Sequence, residues 1–150
     1  MKKIDELRLV QLISLRCLQD TAQACEELDV KYFLVAGTLL GAIRHKGFIP
    51  WDSDIDIGML RGDYDRFVKH APKLLEAKYF IQNDDSDKNN KTFFTKIRTK
   101  GTRFIEKGNL STGDSDGIYI DVFPIDDIGL IPGKTQYFFA RAIRILTRLK

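Results

Sequence analysis

The pattern of apolar and polar positions predicts a chain in which helices and strands alternate. Residues 5–29 carry apolar side chains at helical spacing, which predicts one long amphipathic helix. The positions expected to face the core are Leu7, Val10, Ile13, Leu18, Ala22 and Cys25. Residues 32–36 form a dense β-forming run closed by Gly37, and Thr38 stands where the N-cap of a second helix, residues 39–45, is expected. A strand, a glycine turn and a helix are therefore predicted in succession.

Further elements follow the same patterns. Residues 63–76 fit an amphipathic helix that contains Pro72. Strands are predicted at residues 52–59, 79–82, 93–98, 102–106 and 118–123, with a hairpin turn at 99–101 and Pro124 ending the last strand. This order of elements predicts an α/β fold with a mixed β-sheet flanked by helices.

Composition narrows the class of protein. The 150 residues are 43% hydrophobic and include ten Phe, five Tyr and one Trp, which excludes wholesale disorder. No apolar run approaches the roughly 20 residues that span a bilayer. Charged residues at positions 5, 6 and 8 interrupt the N-terminal apolar stretch, so we expect no signal peptide and a cytoplasmic protein. The length fits a single domain over residues 1–150, or the first part of a larger one.

The charge is split along the chain. Residues 1–127 carry a net charge of −2 and residues 128–150 one of +5. Residues 134–150 place Arg141, Arg144 and Arg148 on one face of a predicted helix. Such a helix either packs on the core or lies on the anionic inner surface of a membrane. No nucleic-acid-binding module accompanies these arginines, so we expect no nucleic-acid partner.

The strongest chemical signal is a pair of aspartates that flank Ile55. On a strand, Asp54 and Asp56 leave the same face, while Ile55 and Ile57 point toward the core. Like charges this close repel unless a cation lies between them, and carboxylate oxygens suit Mg²⁺ or Mn²⁺ bound together with phosphates. The alternative is a solvated strand edge or an acidic turn.

Asp121 adds a third carboxylate within the predicted strand 118–123. A charge there is expensive to bury unless it serves the same ion, and three aspartates on adjacent strands can hold two divalent ions about 4 Å apart. A polar position on a surface strand is the alternative. Gly37 and Thr38 predict a phosphate site, because a glycine turn before a helix exposes backbone N–H groups to an anion. Helix packing is the alternative for residues 37–41.

Basic and aromatic residues supply further candidates. Arg44 ends the helix after the glycine turn, and Lys96 and Arg98 share one strand face, where they would neutralise a diphosphate. Alternatively, Arg44 complements the dipole of its helix, and Lys96 and Arg98 lie on an exposed polar face of the sheet. Trp51 either packs beneath the aspartates or stacks on a base.

Residues 37–59, GTLLGAIRHKGFIPWDSDIDIGM, closely resemble the signature of the LicD family, which includes bacterial phosphocholine transferases and fukutin-type transferases. Residues 64–67 and 120–124 are also similar to family patterns. The resemblance implies a nucleotidyltransferase-like fold in which Asp54 and Asp56 are paired metal ligands, Asp121 is the third catalytic carboxylate, and residues 37–38 are the phosphate motif. The family usually has Asp where this chain has Ser53. Strand alternation turns Ser53 away from the pair, so we expect the metal site to survive.

These observations predict a transferase that depends on Mg²⁺ or Mn²⁺, with two ions expected. We expect it to move phosphocholine from CDP-choline to a cell-surface glycan acceptor, such as a lipopolysaccharide or teichoic acid precursor, with CMP leaving. Members of the family are commonly longer, so the chain is expected to be either a short member or one truncated at its C-terminus. Two other functions stay open: nucleotidyl transfer with release of pyrophosphate, and a non-catalytic binding module of the same fold.

Overall fold

Three helices and five strands make up the described part of the computed structural model, which covers residues 6–87, 92–104 and 116–127, together with residues 133 and 135. The elements in chain order are α1 (Glu6–Glu27), β1 (Phe33–Leu34), α2 (Ala36–Arg44), β2 (Asp56–Leu60), α3 (Arg61–Leu75), β3 (Tyr79–Gln82), β4 (Thr95–Thr99) and β5 (Tyr119–Ile125). The α/β class predicted from the sequence is confirmed.

The five strands form one mixed sheet in the order β1-β2-β5-β4-β3. The two central strands β2 and β5 run parallel, and every other neighbouring pair is antiparallel. The core lies on the face of the sheet that α1 and α3 cover, and Ile57, Phe67, Ile97 and Ile120 are fully buried there. Strand alternation therefore sends the intervening residues of β2, β4 and β5 to the opposite face.

The buried face of α1 differs from the predicted one. It consists of Gln11, Ser14, Cys17, Thr21, Ala24 and Cys25, of which only Cys25 belonged to the predicted set. Small side chains let this helix approach the sheet closely, so that the Ser14 hydroxyl donates to the carbonyl of Tyr119 at 3.5 Å. Leu9, Leu12 and Leu15 consequently stay exposed.

Several element boundaries also differ from the predictions. Val35, not Thr38, is the N-cap of α2, because the helix begins at Ala36 and Thr38 is its third residue. The predicted hairpin of residues 93–98 and 102–106 is wrong: β4 pairs with β3 and β5, and residues 102–104 are not a strand. Strand β5 continues through Pro124, since its pairing with β4 ends at Val122 and proline is tolerated where one side of a strand is an edge.

Other predicted elements agree closely. The strand at residues 79–82 is confirmed, and α1 and α3 each lie within two residues of their predicted bounds. Pro72 lies inside α3. The two cysteines, Cys17 and Cys25, are free and buried. Apart from residue 135, the predicted basic helix at residues 134–150 lies outside the described residues.

Candidate active site

The sheet aligns three charged side chains across its central strands. Asp56 on β2 is in register with Asp121 on β5, and Asp121 is in register with Lys96 on β4. Directly opposite residues on paired strands point to the same side of a sheet. These three side chains therefore form a row on the face opposite α1 and α3.

Asp54 joins this row from the segment just before β2. The backbone N–H of Asp121 donates to the carbonyl of Ile55 at 2.8 Å, so the pairing with β5 extends one residue beyond the strand. Ile55 and Ile57 are 1% and 0% exposed, as the alternation predicts, whereas Asp54 and Asp56 are half-buried. The two carboxylates that the sequence paired are thus brought together with Asp121.

Asp52 is a further acidic residue of the site, which sequence reasoning did not select. The pKa of Asp52 is raised to about 6, mainly by burial. A hydrogen bond with Asp54 and repulsion between the two carboxylates also contribute. Burial and the charges of Asp54 and Asp121 likewise raise the pKa of Asp56 to about 6. The signal in the sequence was the repeated spacing Asp52, Asp54, Asp56, which continues the alternation one step toward the N-terminus.

Gly37 and Thr38 lie beside these carboxylates at the start of α2. A Cβ atom on Gly37 would stand 2.7 Å from Oδ2 of Asp52, so a larger residue here would require the Asp52 side chain to move. The left-handed residue of the turn is Ala36, with φ 47°, and not the glycine. The Thr38 hydroxyl accepts a hydrogen bond from the backbone N–H of Asp56 at 2.8 Å. Thr38 therefore ties the N-terminus of α2 to the first residue of β2.

The loop before β2 is fixed from two sides. The Gln11 amide donates to the carbonyl of Asp52 at 2.8 Å, and the backbone N–H of Asp52 donates to the carbonyl of Ile49 at 2.9 Å. Trp51 is 78% exposed and meets the ring of His45 edge-on at 6.4 Å between centroids. The interpretation of Trp51 as packing beneath the aspartates is therefore wrong.

The three basic candidates have different surroundings. Arg44 is exposed at the last residue of α2, about 10 Å along the helix axis from Gly37, so the structure does not bring it to the phosphate motif. Arg98 is buried and donates to Oε1 of Gln82 at 2.6 Å and to the carbonyl of Gly117 at 3.0 Å. Arg98 thus joins β3 to the segment that enters β5.

Lys96 is buried against the third aspartate. Its ammonium group lies 2.8 Å and 3.1 Å from the two carboxylate oxygens of Asp121. Burial nevertheless holds the pKa of Asp121 above its usual range, against the opposing effect of Lys96. Lys96 therefore neutralises a carboxylate of this chain.

The carboxylates fit a metal ion only in part. Asp54 and Asp56 are crowded acidic oxygen donors, and crowding of this kind suits a hard divalent cation. Within the described ranges, however, no group of three or more His, Cys, Asp or Glu side chains is arranged to hold a metal ion. The ion pair with Lys96 accounts for Asp121, which leaves Asp54 and Asp56 as the fitting donors.

A cavity of about 570 Å³ opens beside the site, between α1 and α2. Thr38, Asp52 and Asp54 line its polar side, while Leu15 and Leu18 belong to its apolar side. This volume falls in the range of small-molecule sites. A larger cavity of about 880 Å³ lies between α3 and β3, and none of the aspartates of the site lines it.

No helix among the described residues is long and apolar enough to cross a membrane. The predicted contact of residues 134–150 with an inner membrane surface lies outside those residues.

Comparison with known proteins shows that parts of this chain are similar to named transferases. The chain is 54% identical over 68 residues to the lipopolysaccharide cholinephosphotransferase LicD of Haemophilus influenzae, a match that covers 45% of this chain and 25% of that protein. It is 45% identical over 53 residues to the human ribitol 5-phosphate transferase FKRP, covering 33% of this chain and 11% of the relative. Mouse ribitol-5-phosphate transferase FKTN is 40% identical over 47 residues, or 31% of this chain and 10% of the relative.

The chain thus spans about a quarter of the length of the Haemophilus protein. The profile of the family described as LicD/FKTN/FKRP, nucleotidyltransferase domain, matches residues 29–142, which include the glycine turn, the aspartates and Lys96. With most of its length matched and its acidic row on a mixed sheet, the chain belongs to the LicD family.

Proposed function

We propose that this chain carries the catalytic site of a transferase that moves phosphocholine from CDP-choline to a glycan acceptor. The observation that carries the proposal is the pair of half-buried carboxylates, Asp54 and Asp56, of which Asp54 and the neighbouring Thr38 line a cavity large enough for a small donor. The choice of phosphocholine rests on the longer and closer match to the cholinephosphotransferase than to the ribitol-phosphate transferases.

In the proposed reaction, an acceptor hydroxyl attacks the phosphorus that bears choline. A new P–O bond forms there, the P–O bond to the bridging oxygen of the diphosphate breaks, and CMP leaves. Asp54 and Asp56 would hold Mg²⁺ or Mn²⁺, and the bound ion would supply positive charge to the diphosphate. Asp121 takes the proton of the acceptor hydroxyl, and Lys96 keeps that carboxylate in place.

The acceptor we propose is a precursor of lipopolysaccharide or teichoic acid, presented on the cytoplasmic side of the membrane. The basic residues of 134–150 would suit contact with an anionic inner surface. Nucleotidyl transfer uses the same kind of acidic site, and the identity of the leaving group distinguishes the two reactions.

Calorimetric titration of the protein with CDP-choline tests the proposal. CTP, CDP-ribitol and ATP serve as comparators, with Mn²⁺ present or removed by EDTA. We expect CDP-choline to bind best, only with Mn²⁺, and not to Asp54→Asn. Asp65→Asn, which changes an exposed aspartate on α3, is the matched control and should bind like the unaltered protein. Tighter binding of another nucleotide would refute the choice of donor, and binding that survives both EDTA and Asp54→Asn would refute the site.

A further inference from the structure

Lys96 is fixed by more than its ion pair. Its ammonium nitrogen lies 3.6 Å from the centroid of the Tyr119 ring and 5.1 Å from that of Phe94. A cation over an aromatic face is attracted by the ring's negative electrostatic surface. Lys96 and Asp121 are only 9% and 7% exposed, so this cation is held in a desolvated position.

A second metal ion bound to Asp121 would compete with Lys96 for the same carboxylate. Register places Lys96 beside Asp121, on the side away from Asp56, at the end of the acidic row. A divalent ion bound to both oxygens of Asp121 would have to displace the ammonium group that now contacts both. The displaced cation would then stay buried against Tyr119 without its carboxylate, which is unfavourable.

Asp54 and Asp56 differ from Asp121 in this respect. Both are half-buried, and no Lys or Arg of the described ranges forms an ion pair with either carboxylate. The acidic row therefore has one end already neutralised by the protein and one end that is not.

We infer that the site takes one divalent ion, at Asp54 and Asp56, and that the Lys96 ammonium group fills the place of the second cation beside Asp121. This inference rests on the proposed function and replaces the two ions expected from the sequence. Lys96 is then a positioning residue: it holds the carboxyl group of Asp121 through contacts with both oxygens and contributes one of the two positive centres of the site.

Counting bound Mn²⁺ by electron paramagnetic resonance tests the inference without any turnover. We expect one Mn²⁺ per chain for the unaltered protein and two for Lys96→Gln, because Asp121 then loses its internal cation. Lys73→Gln, at an exposed position on α3, is the matched control and should bind one.

The other possible Mn²⁺ counts distinguish failure of this inference from failure of the proposed function. Two ions in the unaltered protein, or one in Lys96→Gln, would overturn the inference and leave the proposed function standing. No bound Mn²⁺ in the unaltered protein would overturn both.

Circular dichroism shows whether each variant is folded. If Lys96→Gln fails to fold, the double variant Lys96→Gln/Asp121→Asn removes both charges with little change of shape. It should still bind one ion, and loss of that ion would overturn the inference.

Discussion

Replacing Lys96 by Met should reveal how much the internal cation stabilises the sheet. The substitution keeps the length of the side chain but leaves the carboxyl group of Asp121, which is 7% exposed and in register with Asp56, without its cation. Removing one partner of a buried ion pair costs about 3–5 kcal/mol, a large part of the roughly 5–15 kcal/mol that stabilises a typical domain.

Urea unfolding in EDTA, followed by circular dichroism, measures this loss without bound metal. With a slope of about 1.5 kcal/mol per molar, the midpoint should fall by roughly 2–3 M. Lys78→Met is the matched control, because the side chain of Lys78 is 62% exposed and pairs with Asp20 at the surface. It should lower the free energy of unfolding by less than about 1 kcal/mol.

The double variant Lys96→Met/Asp121→Asn should recover at least half of the loss, because no unpaired charge remains. A role for Lys96 as the internal cation is excluded if Lys96→Met is no more destabilising than Lys78→Met, or if the effects of Lys96→Met and Asp121→Asn simply add.

Three further substitutions test how the site is supported. Gly41→Ala should lower the melting temperature and reduce the free energy of unfolding by about 1–3 kcal/mol, because the new Cβ would stand 2.6 Å from the carbonyl oxygen of Gly47. The control is Gly62→Ala on α3, which has open space around it and should be neutral or stabilising. Thr38→Val should lower the free energy of unfolding, measured in urea, by about 1–3 kcal/mol, because the backbone N–H of Asp56 loses its hydrogen-bond acceptor. Thr38→Ser keeps that acceptor, so equal stability of the two variants would contradict this prediction. Burial opposes ionisation of Asp20, but hydrogen bonds from Lys78 and Tyr79 outweigh it and lower its pKa below 3.8. Asp20→Asn should therefore be less stable than the unaltered protein at neutral pH, with the difference disappearing as the pH falls through that lowered pKa; a difference independent of pH down to acid unfolding would contradict the assignment.

Local patterns in the sequence predicted much of the fold. The alternation around Ile55 and Ile57 correctly oriented the two aspartates, because both isoleucines are buried in the core and this burial specifies the register. The strand at residues 79–82 and the long helix α1 follow from equally local signals.

The failures involve partners that are distant in the sequence. The buried face of α1 is made of small and polar residues, because the helix packs close to the sheet and bonds its carbonyl groups. The false hairpin arose because Gly101 does form a turn, yet β4 finds its neighbours in β3 and β5.

The same limit applies to the site. Lys96 and Asp121 are 25 residues apart, and only the register of β4 with β5 makes them an ion pair. The sequence identified Lys96 as a basic residue for phosphate, whereas its contact with Asp121 depends on the folded sheet.

The proposed transfer is tested most directly by following the phosphorus in a reaction of the protein with CDP-choline and Mn²⁺. The acceptor supplied is a lipopolysaccharide precursor that lacks phosphocholine, and the products are identified by mass spectrometry. We predict phosphocholine on the acceptor and an equal amount of CMP, with no transfer by Asp54→Asn. A cytidine nucleotide on the acceptor, or CDP-choline that binds with Mn²⁺ but is never consumed, would contradict the proposed transfer.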